Sequence, residues 1–104
     1  MRSLSKKTLL NAGDSGAALP GTEFQVEQAK GWTYVFTTSV AGTATLDVEA
    51  YLGGAWHVVH SQDLSATGSF MVRDDHGHYE KIRVNGSITG GTHTVIANGT
   101  VDSL

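Results

Sequence analysis

The chain has no cysteine, one proline and few charges among its 104 residues. Without cysteine there is no disulfide framework, no thiolate nucleophile and no sulfur-ligated zinc. A lone proline, Pro20, excludes a polyproline linker. Charged residues make up 16%, against roughly one quarter in ordinary soluble domains. The formal net charge is only −3 with 39% apolar residues, whereas disorder needs low hydrophobicity together with high net charge. No apolar run approaches the roughly 20 residues of a membrane span, and Met1 to Leu10 has neither the apolar stretch nor the cleavage site of a secretory leader. The expectation is a folded product made in a host cytoplasm, with no membrane partner.

What the chain does have is glycine, serine, threonine and a regular succession of short alternating segments. Its length suits one domain. Thr22 to Glu27 alternates, with Phe24 and Val26 on one face; Trp32 to Thr38 sets Trp32, Tyr34 and Phe36 against Thr33, Val35 and Thr37. In Thr43 to Leu52, the clearest strand, Leu46, Val48, Ala50 and Leu52 face inward while Thr45, Asp47, Glu49 and Tyr51 face out. Gly53-Gly54 is a two-residue hairpin signal, because glycine tolerates the positive φ of primed turns. Ala55 to Ser61, Thr67 to Arg73, Tyr79 to Asn85 and Thr92 to Val101 complete about eight strands, and no segment has a sustained helical period. These features predict an all-β, antiparallel β-sandwich of jelly-roll or immunoglobulin-like type spanning 22–104. Residues 1–21 are expected to form an extended arm and a Gly/Ala-rich loop. Leu46, Val48, Ala50, Trp56, Val58, Ile82 and Val84 are the predicted core.

Arg2, Lys6 and Lys7 open the chain, leaving four basic against ten acidic residues beyond them. A basic arm before an acidic body suits docking on an acidic neighbour, and the acidic body argues against nucleic acid. The five histidines, His57, His60, His76, His78 and His93, show no complete zinc spacing, so no metal site is expected. Asp74-Asp75-His76-Gly77 reads as turn chemistry, and His57 and His60 have opposite parity on one strand. No serine lies in a Gly-x-Ser-x-Gly elbow, Gly13-Asp14-Ser15-Gly16 being a loose echo, and no phosphate cradle occurs. Asp47 and Glu49 look like the solvated side of a strand. Asn85-Gly86-Ser87 and Asn98-Gly99-Thr100 match a glycosylation acceptor but read better as turns or bulges. The expectation is a protein that binds rather than catalyses, without catalytic residues or cofactors. Trp32, Tyr34, Tyr51, Trp56 and Tyr79 could include a sugar-stacking platform, although strand aromatics usually serve the core or subunit contacts.

Three stretches carry a resemblance. They are Thr8-Leu9-Leu10-Asn11-Ala12-Gly13 with its Gly/Ala loop, Thr43-Ala44-Thr45-Leu46-Asp47-Val48-Glu49 with Trp56 after the turn, and Ile82-Arg83-Val84 followed by Gly90-Gly91-Thr92. Together they resemble small β-sandwich virion proteins of tailed bacteriophages, of the capsid decoration, cement or tail and fibre adaptor type. Relatives often carry Ser-x-Asp-Gly before the Trp, where this chain has Tyr51-Leu52-Gly53-Gly54. The resemblance implies a homotrimer that binds the major capsid protein and reinforces the head within the virion. Arg2, Lys6, Lys7, Trp32, Tyr34, Phe36 and Tyr51 are the candidate assembly-interface residues. A tail or fibre adaptor is the alternative within that class, a carbohydrate-binding module the alternative outside it, and a small hydrolase using His76 a third.

Overall fold

The computed structural model describes residues 2–3, 6–26, 29–75 and 79–101. Among them there is no helix, and nine strands follow in order: β1 (Arg2–Ser3), β2 (Lys7–Gly13), β3 (Phe24–Gln25), β4 (Gly31–Val40), β5 (Ala44–Leu52), β6 (Ala55–Leu64), β7 (Gly68–Asp74), β8 (Lys81–Ile88) and β9 (Thr92–Val101). They form two antiparallel sheets. The first runs β1-β9-β4-β7, with β2 also on β9; the second runs β3-β8-β5-β6. Because β1 and β2 pair successive stretches of β9, they act as one interrupted edge, leaving eight strand positions. From β2 onward, every connection except the β5–β6 hairpin carries the chain to the opposite sheet. That order, β2-β9-β4-β7 facing β3-β8-β5-β6, is a jelly roll, which settles the alternative left by the sequence.

Period-2 alternation builds the core. β4 buries Trp32, Tyr34 and Phe36; β5 buries Ala44, Leu46, Val48 and Ala50; β8 adds Ile82, Val84 and Ile88; β9 adds Val95 and Ala97. Burying each large aliphatic or aromatic side chain contributes about 1.5–3 kcal/mol, which orders strands with little intrinsic preference of their own. Gly53 and Gly54 close the β5–β6 hairpin with φ of 65° and 83°, the paired positive values of a type I′ turn.

Three expectations need correction. First, the sandwich takes in residues before Thr22, because β1 pairs with β9 at Arg2–Ser3 and β2 lies against β9 over Lys7–Gly13. Two register shifts in that pairing let consecutive Leu9 and Leu10 both face the core, so β2 shows no alternation to read. Second, Val58 is 56% exposed and Trp56 is only half-buried. The Gly53-Gly54 turn pairs Trp56 with Tyr51 and Val58 with Glu49, both of which face out, and the extra residue Val59 then switches the parity so that His60 lies opposite inward-facing Val48. Val59 packs on the core in their place, and Leu64 is buried at the strand's far end. Third, Leu52, expected inward, is half-exposed beside the turn.

Candidate functional site

Alternation that sends the aliphatic residues of β5 inward sends Thr45, Asp47, Glu49 and Tyr51 to the outer face of the second sheet. Neighbouring strands answer each one. Tyr51 is paired with Trp56 on β6 and Lys81 on β8, and Glu49 with Arg83. The Tyr51 and Trp56 rings meet edge to face at 5.2 Å. The Arg83 guanidinium lies over the Trp56 indole at 3.9 Å, and Lys81 lies over the Tyr51 ring at 4.8 Å. Arg83 Nε also donates to Glu49 Oε1 at 2.8 Å, while Asn85 Nδ2 donates to Glu49 Oε2 at 3.4 Å. Glu23 reaches both cations, at 3.5 Å from Lys81 and 3.8 Å from Arg83. Farther along, Ser61 donates to Asp47 and Thr45 to Asp63, each across a directly paired position.

Around Tyr51 and Trp56 the charges cancel, Lys81 and Arg83 against Glu23 and Glu49, while Asp47 and Asp63 farther along the same face are paired with neutral hydroxyls. Cancellation means little long-range pull on a strongly charged partner, so the patch is suited to contact and not to steering. Each cation–π contact contributes about 0.5–2 kcal/mol and holds its ring in one orientation. An arginine and two aromatics, half-buried and pre-ordered, have the composition of an interface centre.

The structure separates the seven predicted interface residues. Trp32, Tyr34 and Phe36, at 2%, 0% and 0% exposure, offer a partner no surface. β4 is flanked by β9 and β7, and the face bearing these rings is turned to the second sheet, so they are core. Tyr51 stands on the outer face. Lys6 is exposed and Lys7 half-buried at the start of β2, and the Arg2 backbone pairs with Val101 while its side chain lies outside the described residues. Sequence reasoning missed Trp56, Lys81, Arg83 and Glu49 as a group. The signal was acidic and basic residues at matching outward parity on β5 and β8, which has meaning only once those strands are known to be neighbours.

The described histidines are held by the fold. His93 is fully buried: its Nε2–H donates to the Gly90 carbonyl at 2.9 Å, leaving Nδ1 to accept from the Thr38 hydroxyl at 2.9 Å. His60 donates to Gln62 and packs against the Phe36 ring; His57 donates to the Leu52 carbonyl. His76 and His78 lie outside the described residues. Among the described residues no group of three or more His, Asp or Glu is placed to hold a metal ion. Asp74, read as turn material, is buried, and its Oδ2 accepts from the hydroxyls of both Tyr34 and Tyr79 at 2.8 Å. Burial first, then the adjacent carboxylate, holds the Tyr34 hydroxyl far above the ordinary tyrosine value. Tyr79 is raised likewise, by burial and then by its hydrogen bond to Asp74.

No protein-family model matches the sequence, and no curated protein matches it. The fold is shared with the SPBc2 prophage-derived protein YomS, whose crystal structure superposes with a TM-score of 0.70 at 15% identity over 95% of each chain. The crystal structure of PirA, at TM-score 0.48 and 10% identity over 90% of this chain and 81% of that one, is too distant to carry an argument.

Proposed function

We propose that the chain is a structural protein of a tailed-bacteriophage virion, and within that class a capsid decoration or cement protein that binds the assembled head and stabilises it. The observation that carries the reading is the end-to-end likeness to a prophage-derived protein, covering nearly all of both chains. The outer face of the second sheet supports it, because pre-ordered Tyr51, Trp56 and Arg83 match what protein interfaces concentrate at their centres. The chain acts by binding and not by catalysis, its partners are the major capsid protein and copies of itself, and its place is the virion. The resemblance implies a trimer at threefold positions. Lys6, Lys7 and Arg2 at the sheet edge would set association rate and salt sensitivity more than affinity.

Co-sedimentation of the purified full chain with undecorated heads tests the proposal. Saturable binding should be weakened by Trp56→Ala, since truncating an interface-centre aromatic costs at least about 2 kcal/mol, or some thirtyfold in affinity. Absence of saturable binding by the unaltered chain would overturn it, and binding to purified tails instead of heads would move the protein to the adaptor alternative. One specific observation favours carbohydrate: Trp56 and Tyr51 share an outward face with Glu49 and Asn85. That reading predicts glycan-array binding that is lost in Trp56→Ala, with no affinity for heads.

A further inference from the structure

A two-sheet sandwich has four edges, and in this chain they are not equally protected. The β2 edge is broken by two register shifts and carries Lys6 and Lys7. The β3 edge is two residues long. The β6 edge is bulged at Val59 and carries His57, His60 and Asp63. Bulges, brevity and charge are the devices by which sheet edges avoid pairing with other chains. β7 has no bulge, and its charges, Arg73 and Asp74, are confined to one end. Its seven residues pair with β4 in unbroken register from Trp32↔Asp74 to Thr38↔Gly68, and among the described residues nothing pairs on its other side. From Gly68 to Val72 it has no charge and no proline, and it presents Phe70 at 38% and Met71 at 72% exposure. The Phe70 ring stacks on Phe36 at 5.5 Å, which ties the strand to β4.

We propose that this edge pairs with the same edge of a second copy, β7 against β7 antiparallel about a two-fold axis at Met71. The inference is independent of the capsid reading, and it places a two-fold pair where the resemblance implied a trimer. Identical antiparallel segments are self-complementary, which is what an isologous interface requires. Keeping Phe70 and Val72 on the inner side restricts the register to steps that preserve side-chain parity. Centring on Met71 sets Phe70 opposite Val72, Ser69 opposite Arg73 and Gly68 opposite Asp74, so all seven residues pair with no like charges opposed. Centring on Val72 sets Phe70 against the buried Asp74, and centring on Arg73 opposes two arginines. The two first sheets then join into one continuous sheet, with roughly one new backbone hydrogen bond per paired residue.

The test is sedimentation velocity of the full chain from about 1 μM to about 1 mM, the range of ordinary reversible association. The unaltered protein should shift from monomer to dimer and stop there. Met71→Lys and Met71→Glu, at an exposed position that leaves the fold and melting temperature unchanged, should each weaken the dimer at least about tenfold by opposing like charges at the axis. An equimolar mixture of the two should recover it, because Lys then faces Glu. Amide exchange over residues 68–72 should slow as concentration rises. A monomer at every concentration, growth beyond the dimer, dimers insensitive to either substitution, or a mixture that fails to recover would each overturn the proposal.

Discussion

Removing the carboxylate of Asp74 should cost this small domain a large share of its stability. Asp74 ends β7, Tyr34 lies at the middle of β4, and Tyr79 sits just before β8, so one buried oxygen ties the chain at the crossover from the first sheet to the second. In Asp74→Ala both hydroxyls lose this acceptor while remaining in sites that are 0% and 8% exposed. Each buried polar group left unsatisfied costs about 1–3 kcal/mol, so the pair costs about 2–6 kcal/mol, against a total of about 5–15 kcal/mol for a domain of this kind. At roughly 4–8 °C per kcal/mol, the melting temperature should fall by at least about 8 °C. Asp74→Asn keeps the shape and an oxygen with two lone pairs, so it should cost only about 1 kcal/mol. Thermal melts followed by near-ultraviolet circular dichroism measure both. An Asp74→Ala melt indistinguishable from the unaltered protein, or an Asn variant as damaged as the Ala variant, would refute the reasoning.

Leu46→Ala, at a site with no exposure, should destabilise by about 2–5 kcal/mol in denaturant titration. Alkaline pH should unfold the protein: the Tyr34 and Tyr79 hydroxyls are raised in the fold above the ordinary 10.0, so their contribution is complete below pH 10 and is lost as pH climbs beyond it. The slope should be at most about 1.4 kcal/mol per pH unit for each tyrosine, and Tyr34→Phe should reduce it. Ala12→Gly should leave stability unchanged or raise it by up to about 1 kcal/mol, because Ala12 holds a left-handed φ of 49° and its backbone N–H bond to Thr94 survives the change.

Much of the fold was legible because β5 alternates without interruption and ends at a Gly-Gly turn, which together specify register, inner face and hairpin. Legibility failed where pairing with a neighbouring strand, and not alternation within one strand, decides which face a residue takes. The Gly53-Gly54 turn sets Trp56 opposite outward Tyr51 and Val58 opposite outward Glu49, so pairing across the hairpin, not alternation within β6, made predicted core into surface; the extra residue Val59 then hid the switch to inward His60 and Leu64, and the doubled shift in β2 made a paired strand look like loop. The candidate site was less legible still. Trp32, Tyr34 and Phe36 differ from Tyr51 and Trp56 by which face of which strand they occupy, and that depends on neighbours brought together from distant parts of the chain. The Glu49–Arg83 pair spans 34 positions and exists only because β8 lies beside β5.

Cryo-electron microscopy of the native particle tests the central claim most directly. The account predicts density for this jelly roll on the outside of the head at symmetry-related positions, with the face bearing Tyr51, Trp56 and Arg83 turned toward the shell. Heads bare of that density, or density with this face turned to solvent and no contact through it, would contradict the account.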